Sequence, residues 1–444
     1  VKMVESKLEP SQTYKRKIIE YQNVSERFQI ASRNYQQQYA AIYSNRLKIL
    51  RRKLMKKIPE KWGNIPLLKM QDLETEENKN KECIITGTVY KDQILKPSIL
   101  KEISAEHNLP LQPIKKYTSD SDCLVLEDEL QRIKLEGNID LDDFVTGVVA
   151  AFCGECIEGG SFKIKEWLAV GPVLPIERPM KSRDLGSICL ISGINMSSSF
   201  ETCVKAQLLL DFLNGLCDDC VSVAKVSRLI VAGDILSMPE SVKQFSQTSK
   251  VLTRHAKVQG LEYLKLADDL FSQIAMCIDV DVMPGKNDPS NFQLPQQSFH
   301  PCLFPEAGQY QSFHLVTNPY EFIASGVRIL GSSGQNVTDI SKYTDVKNPI
   351  DLLEKIVNWG HIAPTCPDTL GCYPFGDSDP LVIQDGVNVY FAGNQPKFDE
   401  KLVKVGPSKI KLISLPKFSE TGSVVLLDLN SLECRLVTMS VAFK

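Results

Sequence analysis

The clearest strand-and-turn signal in the chain lies at residues 279–305, which read DVDVMPGKNDPSNFQLPQQSFHPCLFP. The apolar start of this segment predicts a strand that ends at Pro284, and a tight Gly-Lys-Asn-Asp turn follows at 285–288. A strand that delivers glycine, asparagine and acidic side chains onto a loop is a common way to present metal or phosphate ligands. The turn is therefore the first candidate site in the chain.

Length and composition limit the class of protein. The 444 residues are enough for two or three domains, and 43% apolar with 24% charged residues is ordinary for a globular protein. A net charge of −3 disfavours strong nucleic-acid binding by the whole surface, because phosphate binding favours a basic protein. No apolar run reaches the roughly 18 residues of a membrane span. The polar N-terminus predicts no secretory signal.

The 13 cysteines are scattered through apolar segments, which favours reduced, buried thiols in a cytosolic or nuclear protein. Two Cys-x-x-Cys pairs occur, Cys153 with Cys156 and Cys217 with Cys220. The pairs are about 60 residues apart, whereas a zinc ribbon needs two such pairs roughly 15–20 residues apart. Incidental thiols are therefore favoured over a shared zinc site, and no cofactor is expected.

Residues 33–58 have the periodicity of an amphipathic helix. Tyrosine and aliphatic residues recur at steps of three and four from Tyr35 to Ile58, which predicts one apolar face. The opposite face carries four cations, Lys48, Arg51, Arg52 and Lys56. That basic face is either a solvated surface or a nuclear-localisation or nucleic-acid patch. The solvated surface is favoured, because any amphipathic helix needs a polar face. Pro59 predicts a break after the helix.

Five β-rich segments follow between residues 83 and 170, with a predicted helix at 98–107 after the first of them. The segments read CIITGTVY, CLVLEDE, QRIKLEG, FVTGVVAAF and FKIKEWLAV. Five strands in about 90 residues predict a small OB-like barrel. Such barrels often bind single strands through aromatic side chains in a basic groove. Here aromatic residues are few and the second and third segments are acidic, which favours a protein-binding or structural barrel.

A proline-containing linker at 171–184 precedes a region in which strands and helices alternate. Strands are predicted at 187–192, 227–233 and 279–283, helices at 202–216, 251–274 and 349–359, and a strand-rich tail follows. This order predicts an α/β domain built on one or two sheets. The predicted domains are a tail with an amphipathic helix at 1–60, an OB-like domain at 61–175 and an α/β domain at 176–444.

The loops at the strand ends carry the candidate site, since α/β domains place their chemistry there. Their order and spacing resemble the five signatures of calcineurin-like metallophosphoesterases, which are Asp-x-His, Gly-Asp-x-x-Asp, Gly-Asn-His-Asp/Glu, a lone His and Gly-His-x-His. The matching positions in this chain are Ser192, Ile194, Asp234, Ser237, Lys286, Asn287, Asp288, His361, Asn394 and Pro396. The resemblance implies a calcineurin-like metallophosphoesterase α/β sandwich.

Most of these positions lack the carboxylate, imidazole or amide that a two-metal centre needs. Asp234, His361 and Asn287 remain as possible ligands, and Lys286 would place an ammonium beside the metal. The site is therefore expected to be vestigial, with no metal and no catalytic residue. Asp234 has a second interpretation as the residue that hydrogen-bonds its own turn. His361 likewise has a second interpretation as a hydrogen-bonded turn histidine.

Several longer segments resemble one family, the small regulatory subunits of DNA polymerase delta. They are 36-QQQYAAIYSNRL, 97-PSILKE, 106-EHNLP, 124-LVLEDELQRIKLEG, the segment at 280–305, 315-LVTNPY, 334-GQNVTDI and 361-HIAPTCPDTLGCYPF. The resemblance covers nearly the whole chain from about Gln36. It implies a mixed α/β and all-β fold, with an OB-fold barrel and a calcineurin-like phosphodiesterase domain that has lost catalysis.

The resemblance also implies partners and a place in the cell. It implies binding to the cysteine-rich C-terminal domain of the polymerase's catalytic subunit and to a third, clamp-binding subunit, with the sliding clamp reached indirectly. The expected role is a non-catalytic scaffold in the nucleus, in DNA replication and repair synthesis, with little direct DNA binding. The related archaeal small subunit is an active exonuclease. A metal-dependent phosphodiesterase using Asp234, Asn287 and His361 is therefore the alternative.

Overall fold

The computed structural model describes residues 14–34, 36–73, 75, 81–96, 116–137, 139–157, 160–177, 185–217, 219–237 and 260–440. The helices in these residues are α1 (Ala40–Trp62), α2 (Phe200–Leu213), α3 (Cys220–Lys225), α4 (Leu261–Ala275), α5 (Gln335–Ile340), α6 (Pro349–Trp359) and α7 (Phe418–Thr421). The strands before residue 300 are β1 (Tyr21–Asn23), β2 (Glu82–Asp92), β3 (Cys123–Glu127), β4 (Arg132–Gly137), β5 (Val149–Ile157), β6 (Ser161–Ala169), β7 (Ser187–Ile191), β8 (Val226–Ala232) and β9 (Asp279–Met283). The later strands are β10 (Phe313–Leu315), β11 (Tyr320–Ala324), β12 (Val327–Ser332), β13 (Val389–Gln395), β14 (Asp399–Val405), β15 (Ser408–Pro416), β16 (Ser423–Asp428) and β17 (Cys434–Thr438).

The strands form a closed barrel and two six-stranded sheets. The barrel has the order β2-β3-β4-β6-β5, and β2 pairs with β5 to close it. The first sheet has the order β1-β11-β12-β13-β15-β14, and the second has the order β10-β9-β8-β7-β16-β17. The predicted fold class is therefore confirmed, because an all-β barrel and an α/β sandwich follow an N-terminal amphipathic helix.

Burial on both faces explains the strongly apolar strands of the second sheet. All residues of β7 and β8 are buried, as expected for parallel strands covered on each side. One face packs against α2 and α4 through residues such as Leu209 and Phe271. The other face packs against the first sheet through residues such as Ile230 and Phe391. The two sheets therefore share a core, and their strand ends meet at one edge of the sandwich.

Helix α1 docks on the barrel through its apolar face. Leu50 and Leu54 are fully buried and belong to one cluster with Ile84 and Val149 of the barrel. The helix begins at Ala40, later than predicted, and Tyr35 lies outside the described residues. The predicted break after Pro59 is wrong, because α1 continues to Trp62. A proline so close to the C-terminal end interrupts little of the helical hydrogen-bond ladder.

The N-terminal region contains a strand that its polar sequence did not indicate. β1 pairs antiparallel with β11 and becomes an edge of the first sheet. Nearby, the Arg27 guanidinium lies 2.9 Å from the carboxylate of Glu321, which is 1% exposed. Long-range pairing of this kind overrides a weak local β signal. The predicted helix at 98–107 and the first part of the one at 251–274 lie outside the described residues. Among the described helices, none is long and apolar enough to cross a membrane.

Candidate functional site

The predicted loops meet where the two sheets end together. Gly233 follows β8 and Gly285 follows β9, and the two backbones are in close contact. A Cβ atom added to Gly285 would lie 2.1 Å from the amide nitrogen of Asp234, and one on Gly233 would lie 2.7 Å from the Cβ atom of Ser333. Glycine is therefore required at both positions, because the loops pack backbone against backbone.

Asp234 holds the turn after β9. Its φ angle is 53°, a left-handed conformation that directs its carboxylate toward that turn. Oδ1 accepts a hydrogen bond from the backbone N–H of Asn287 at 3.0 Å, and Oδ2 lies 3.4 Å from the Asn287 side-chain amide. Burial raises the pKa of Asp234. These contacts support the interpretation of Asp234 as a residue that hydrogen-bonds a turn.

Asp288 has the same structural role toward the loop after β8. Its Oδ1 accepts from the backbone N–H groups of Ile235 and Leu236 at 2.8 and 3.1 Å. Its Oδ2 accepts from the N–H of Gly285 at 2.8 Å. Burial, together with the nearby charge of Asp234, raises the pKa of Asp288 to about 7. The two carboxylates therefore tie neighbouring loops together, each using its oxygens on the other loop's backbone.

Ser192 and Asn394 connect the second sheet to the first. The Ser192 hydroxyl is fully buried, lies 3.1 Å from the carbonyl oxygen of Pro416, and accepts from the N–H of Asn394 at 2.9 Å. The Asn394 amide donates to the carbonyl oxygens of Ala232 and Ser333 at 3.2 and 2.9 Å. These side chains therefore connect loops at positions where the resembling family has metal ligands.

The other positions near this edge offer no ligand set. Ile194 is 1% exposed and lies in the apolar core beneath the loop. Ser237 is half-buried, and its N–H donates to the carbonyl oxygen of Met196 at 3.0 Å. Lys286 and Pro396 are exposed to solvent.

His361 makes its contacts with a different group of residues. Its Nε2 lies 2.9 Å from Asp379 Oδ2, and its Nδ1 accepts from the N–H of Ala363 at 3.1 Å. Burial, with the nearby Arg46 charge, lowers the pKa of His361 to about 4, so a neutral ring donates through Nε2 to Asp379. The interpretation as a hydrogen-bonded turn histidine is supported, and both ring nitrogens are already occupied.

Arg46 of α1 completes this buried group and was missed by the sequence analysis. Its Nε lies 2.8 Å from Asp379 Oδ2, and its other nitrogens donate to the carbonyl oxygens of Pro364 and Cys366 at 2.8 and 2.7 Å. Burial alone would raise the pKa of Asp379, but His361 and Arg46 lower it well below the ordinary range. A signal existed, since Arg46 lies four residues from both Ile42 and Leu50 on the apolar face.

Ser333 is the residue that the sequence analysis did not place at the edge. It follows β12, its carbonyl oxygen accepts from Asn394, and its hydroxyl lies 2.7 Å from the Asn318 amide. The structure therefore brings together Ser192, Asp234, Asn287, Asp288, Ser333 and Asn394. The order of strands in the first sheet decides this, and chain order alone had assigned the lone histidine position to His361.

A two-metal centre, as the metallophosphoesterase resemblance would imply, does not fit these residues. Among the described residues, no group of three or more His, Cys, Asp or Glu side chains could hold a metal ion. The carboxylates of Asp234 and Asp288 are turned to backbone N–H groups, and the loop after β13 supplies an amide and an exposed proline. A bimetal site needs a bridging carboxylate and imidazoles that are free to bind.

Two family models match the chain. The one described as DNA polymerase delta subunit OB-fold domain matches residues 38–167, which include α1 and the barrel. The one that describes the B-type subunits of DNA polymerases alpha and epsilon matches residues 188–400, which include most of the sandwich. A solved structure described as a novel archaeal phosphodiesterase covers 57% of this chain and 99% of its own, at 11% identity and a TM-score of 0.31. That likeness is too distant to carry an argument.

Relatives of similar length extend the comparison over the full chain. The DNA polymerase delta small subunit of Arabidopsis thaliana is 38% identical over 98% of both chains. The DNA polymerase delta subunit 2 of Drosophila melanogaster is 37% identical over 95% of this chain and 97% of its own. The small subunit of Saccharomyces cerevisiae is 32% identical over 94% and 93%. With such identity along its whole length, the chain belongs to the family of DNA polymerase delta small subunits.

Proposed function

We propose that the chain is a non-catalytic scaffold of the DNA polymerase delta complex, acting in the nucleus in DNA replication and repair synthesis. It bridges the cysteine-rich C-terminal domain of the catalytic subunit and the third, clamp-binding subunit, and so reaches the sliding clamp indirectly. Family membership supports a role in this polymerase complex. The net charge of −3 supports protein contacts over phosphate contacts as the main source of affinity.

One observation carries the non-catalytic part of the proposal. At the edge where the strand-end loops meet, the polar side chains are used on the protein's own backbone. Asp234 and Asp288 link the loops after β8 and β9, and Ser192 with Asn394 links the two sheets. A metal ion would have to break several of these hydrogen bonds at once, and buried polar groups left unpaired are costly. The alternative, a phosphodiesterase using Asp234, Asn287 and His361, is disfavoured for this reason and because His361 binds Asp379.

We expect the purified protein to hydrolyse neither a generic phosphodiester nor single-stranded DNA, with Mn²⁺ or Mg²⁺ supplied. The physical reason is that a two-metal mechanism needs ligands that the meeting loops do not offer. Release of the chromogenic product and of labelled nucleotides measures activity. The Asp234→Ala protein is the control for a contaminating nuclease. Turnover by the parent that disappears in Asp234→Ala would show that the proposal of an inactive site is wrong.

We expect the chain to hold both partner subunits together without DNA. Co-expression of the three chains, nuclease digestion and size exclusion in about 0.5 M salt provide the measurement, since the Debye length there is only a few Å. A stable interface between subunits buries on the order of 1,200–2,000 Å² with an apolar centre, so it withstands this salt. The chain should elute with both partners, and with each one when the other is omitted. Partners that associate equally well without it, or a complex lost on DNA removal, contradict bridging.

A further inference from the structure

The outer face of α1 is strongly basic. The helix contains eight Lys and Arg residues against one Glu, in a chain whose net charge is −3. Lys48, Arg52 and Lys56 follow one another at intervals of four residues, and all three are exposed. Four residues advance an α-helix by about 6 Å, so these side chains form a row about 12 Å long. We call this row of three residues the cation strip.

The cation strip has no carboxylate within ion-pair distance in the part of the chain that the structure describes. Other cations of α1 are held by the protein itself. Arg46 pairs with Asp379, and Lys61 lies 3.3 Å from Glu166. Like charges four residues apart repel each other and destabilise a helix. The row is therefore available to an anionic ligand, which would relieve that repulsion.

The chemistry of the strip favours phosphate groups as its ligand. The apolar face of α1 is buried on the barrel, so the helix has few large apolar side chains left to enter a lipid surface. The exposed face offers Met55 and charges, in a regular row. A nucleic-acid backbone presents negative charges at regular short intervals, and Lys and Arg bind it without reading the bases.

We propose that the cation strip binds the phosphate backbone of nucleic acid without sequence preference. Lys48, Arg52 and Lys56 would each contact one phosphate and release its counterion. This contact is additional to the proposed bridging function and independent of it, because bridging depends on protein interfaces. It also changes the interpretation of the basic face of α1, which the sequence alone favoured as a solvated surface.

The test is binding of the full chain to fluorescently labelled single-stranded and duplex oligonucleotides of two unrelated sequences, measured by anisotropy between 50 and 200 mM salt. The variant is Lys48→Gln/Arg52→Gln/Lys56→Gln. Each phosphate contact contributes roughly 0.7 to 0.9 to the slope of log affinity against log salt. Over this fourfold change in salt, three contacts make the parent lose about 20- to 40-fold more affinity than the variant. Both sequences should give the same result.

A matched control is Lys347→Gln/Lys404→Gln/Lys409→Gln, which removes three exposed positive charges outside α1. The control should keep the parent's salt slope. The proposal is overturned if the parent fails to bind at 50 mM salt, if the strip variant binds like the parent, or if the control loses as much. It is also overturned if the strip variant loses a partner subunit while keeping its oligonucleotide affinity. Should the triple variant fail to fold, Lys48→Gln and Lys56→Gln alone must each lower the slope by about one.

Discussion

Replacement of Arg46 by methionine is expected to lower the free energy of unfolding by roughly 3–5 kcal/mol, the range for breaking a buried ion pair. The Arg46 side chain is fully buried, and its loss leaves the Asp379 carboxylate with His361 as its remaining buried partner. It also removes the donors to the carbonyl oxygens of Pro364 and Cys366. Urea denaturation measures the change, because the midpoint falls when stability is lost.

The matched control for this variant is Arg52→Met on the same helix. Arg52 is exposed and belongs to the cation strip, so its replacement should change stability by no more than about 0.5 kcal/mol. A second measurement follows the protonation of His361. The Arg46 charge helps to lower the pKa of His361, so that pKa should rise in Arg46→Met. Equal midpoints for the two variants would mean that the buried pair does not hold α1 to the sandwich.

Replacement of Leu47 by aspartate is expected to cost several kcal/mol. Leu47 is 5% exposed and packs in the cluster between α1 and the barrel, so the change loses apolar burial at about 25 cal/mol per Å² and buries an unpaired carboxylate. Thermal and urea denaturation of the full chain measure the effect. Met55→Asp introduces the same residue on the same helix at a side chain that is 47% exposed, and it should be nearly neutral. A Leu47→Asp protein as stable as Met55→Asp would show that α1 is not docked on the barrel in solution.

Local patterns predicted most elements well where one face or both faces are apolar. The helix predicted at 349–359 is α6, and the strands predicted at 187–192 and 279–283 are β7 and β9. The fourth barrel segment was placed too early, because β5 begins at Val149 and the preceding residues from Phe144 form turns. β1, β11 and β14 were not predicted. Each of them owes its pairing to a partner strand as much as to its own sequence.

The candidate site shows the same division at the level of single residues. Chain order and glycine spacing correctly indicated that the loops containing Ser192, Asp234, Asn287 and Asn394 would meet. Spacing could not show that Ser333 joins them, because β12 reaches this edge only through its place in the first sheet. Nor could it separate His361 from them, because the partner of His361 depends on how α6 and α1 pack.

The sequence by itself determined the kinds of element, the barrel and sandwich, and the absence of a full set of metal-binding side chains from the matching loops. These features depend on residue type and on short-range periodicity, which the linear chain contains. The tertiary structure decided which polar side chains are paired. Arg46 and Lys48 are cations two residues apart, yet one is buried against an aspartate 333 residues away and the other faces solvent. Burial and long-range pairing are set by packing between distant segments, and no local pattern encodes the partner.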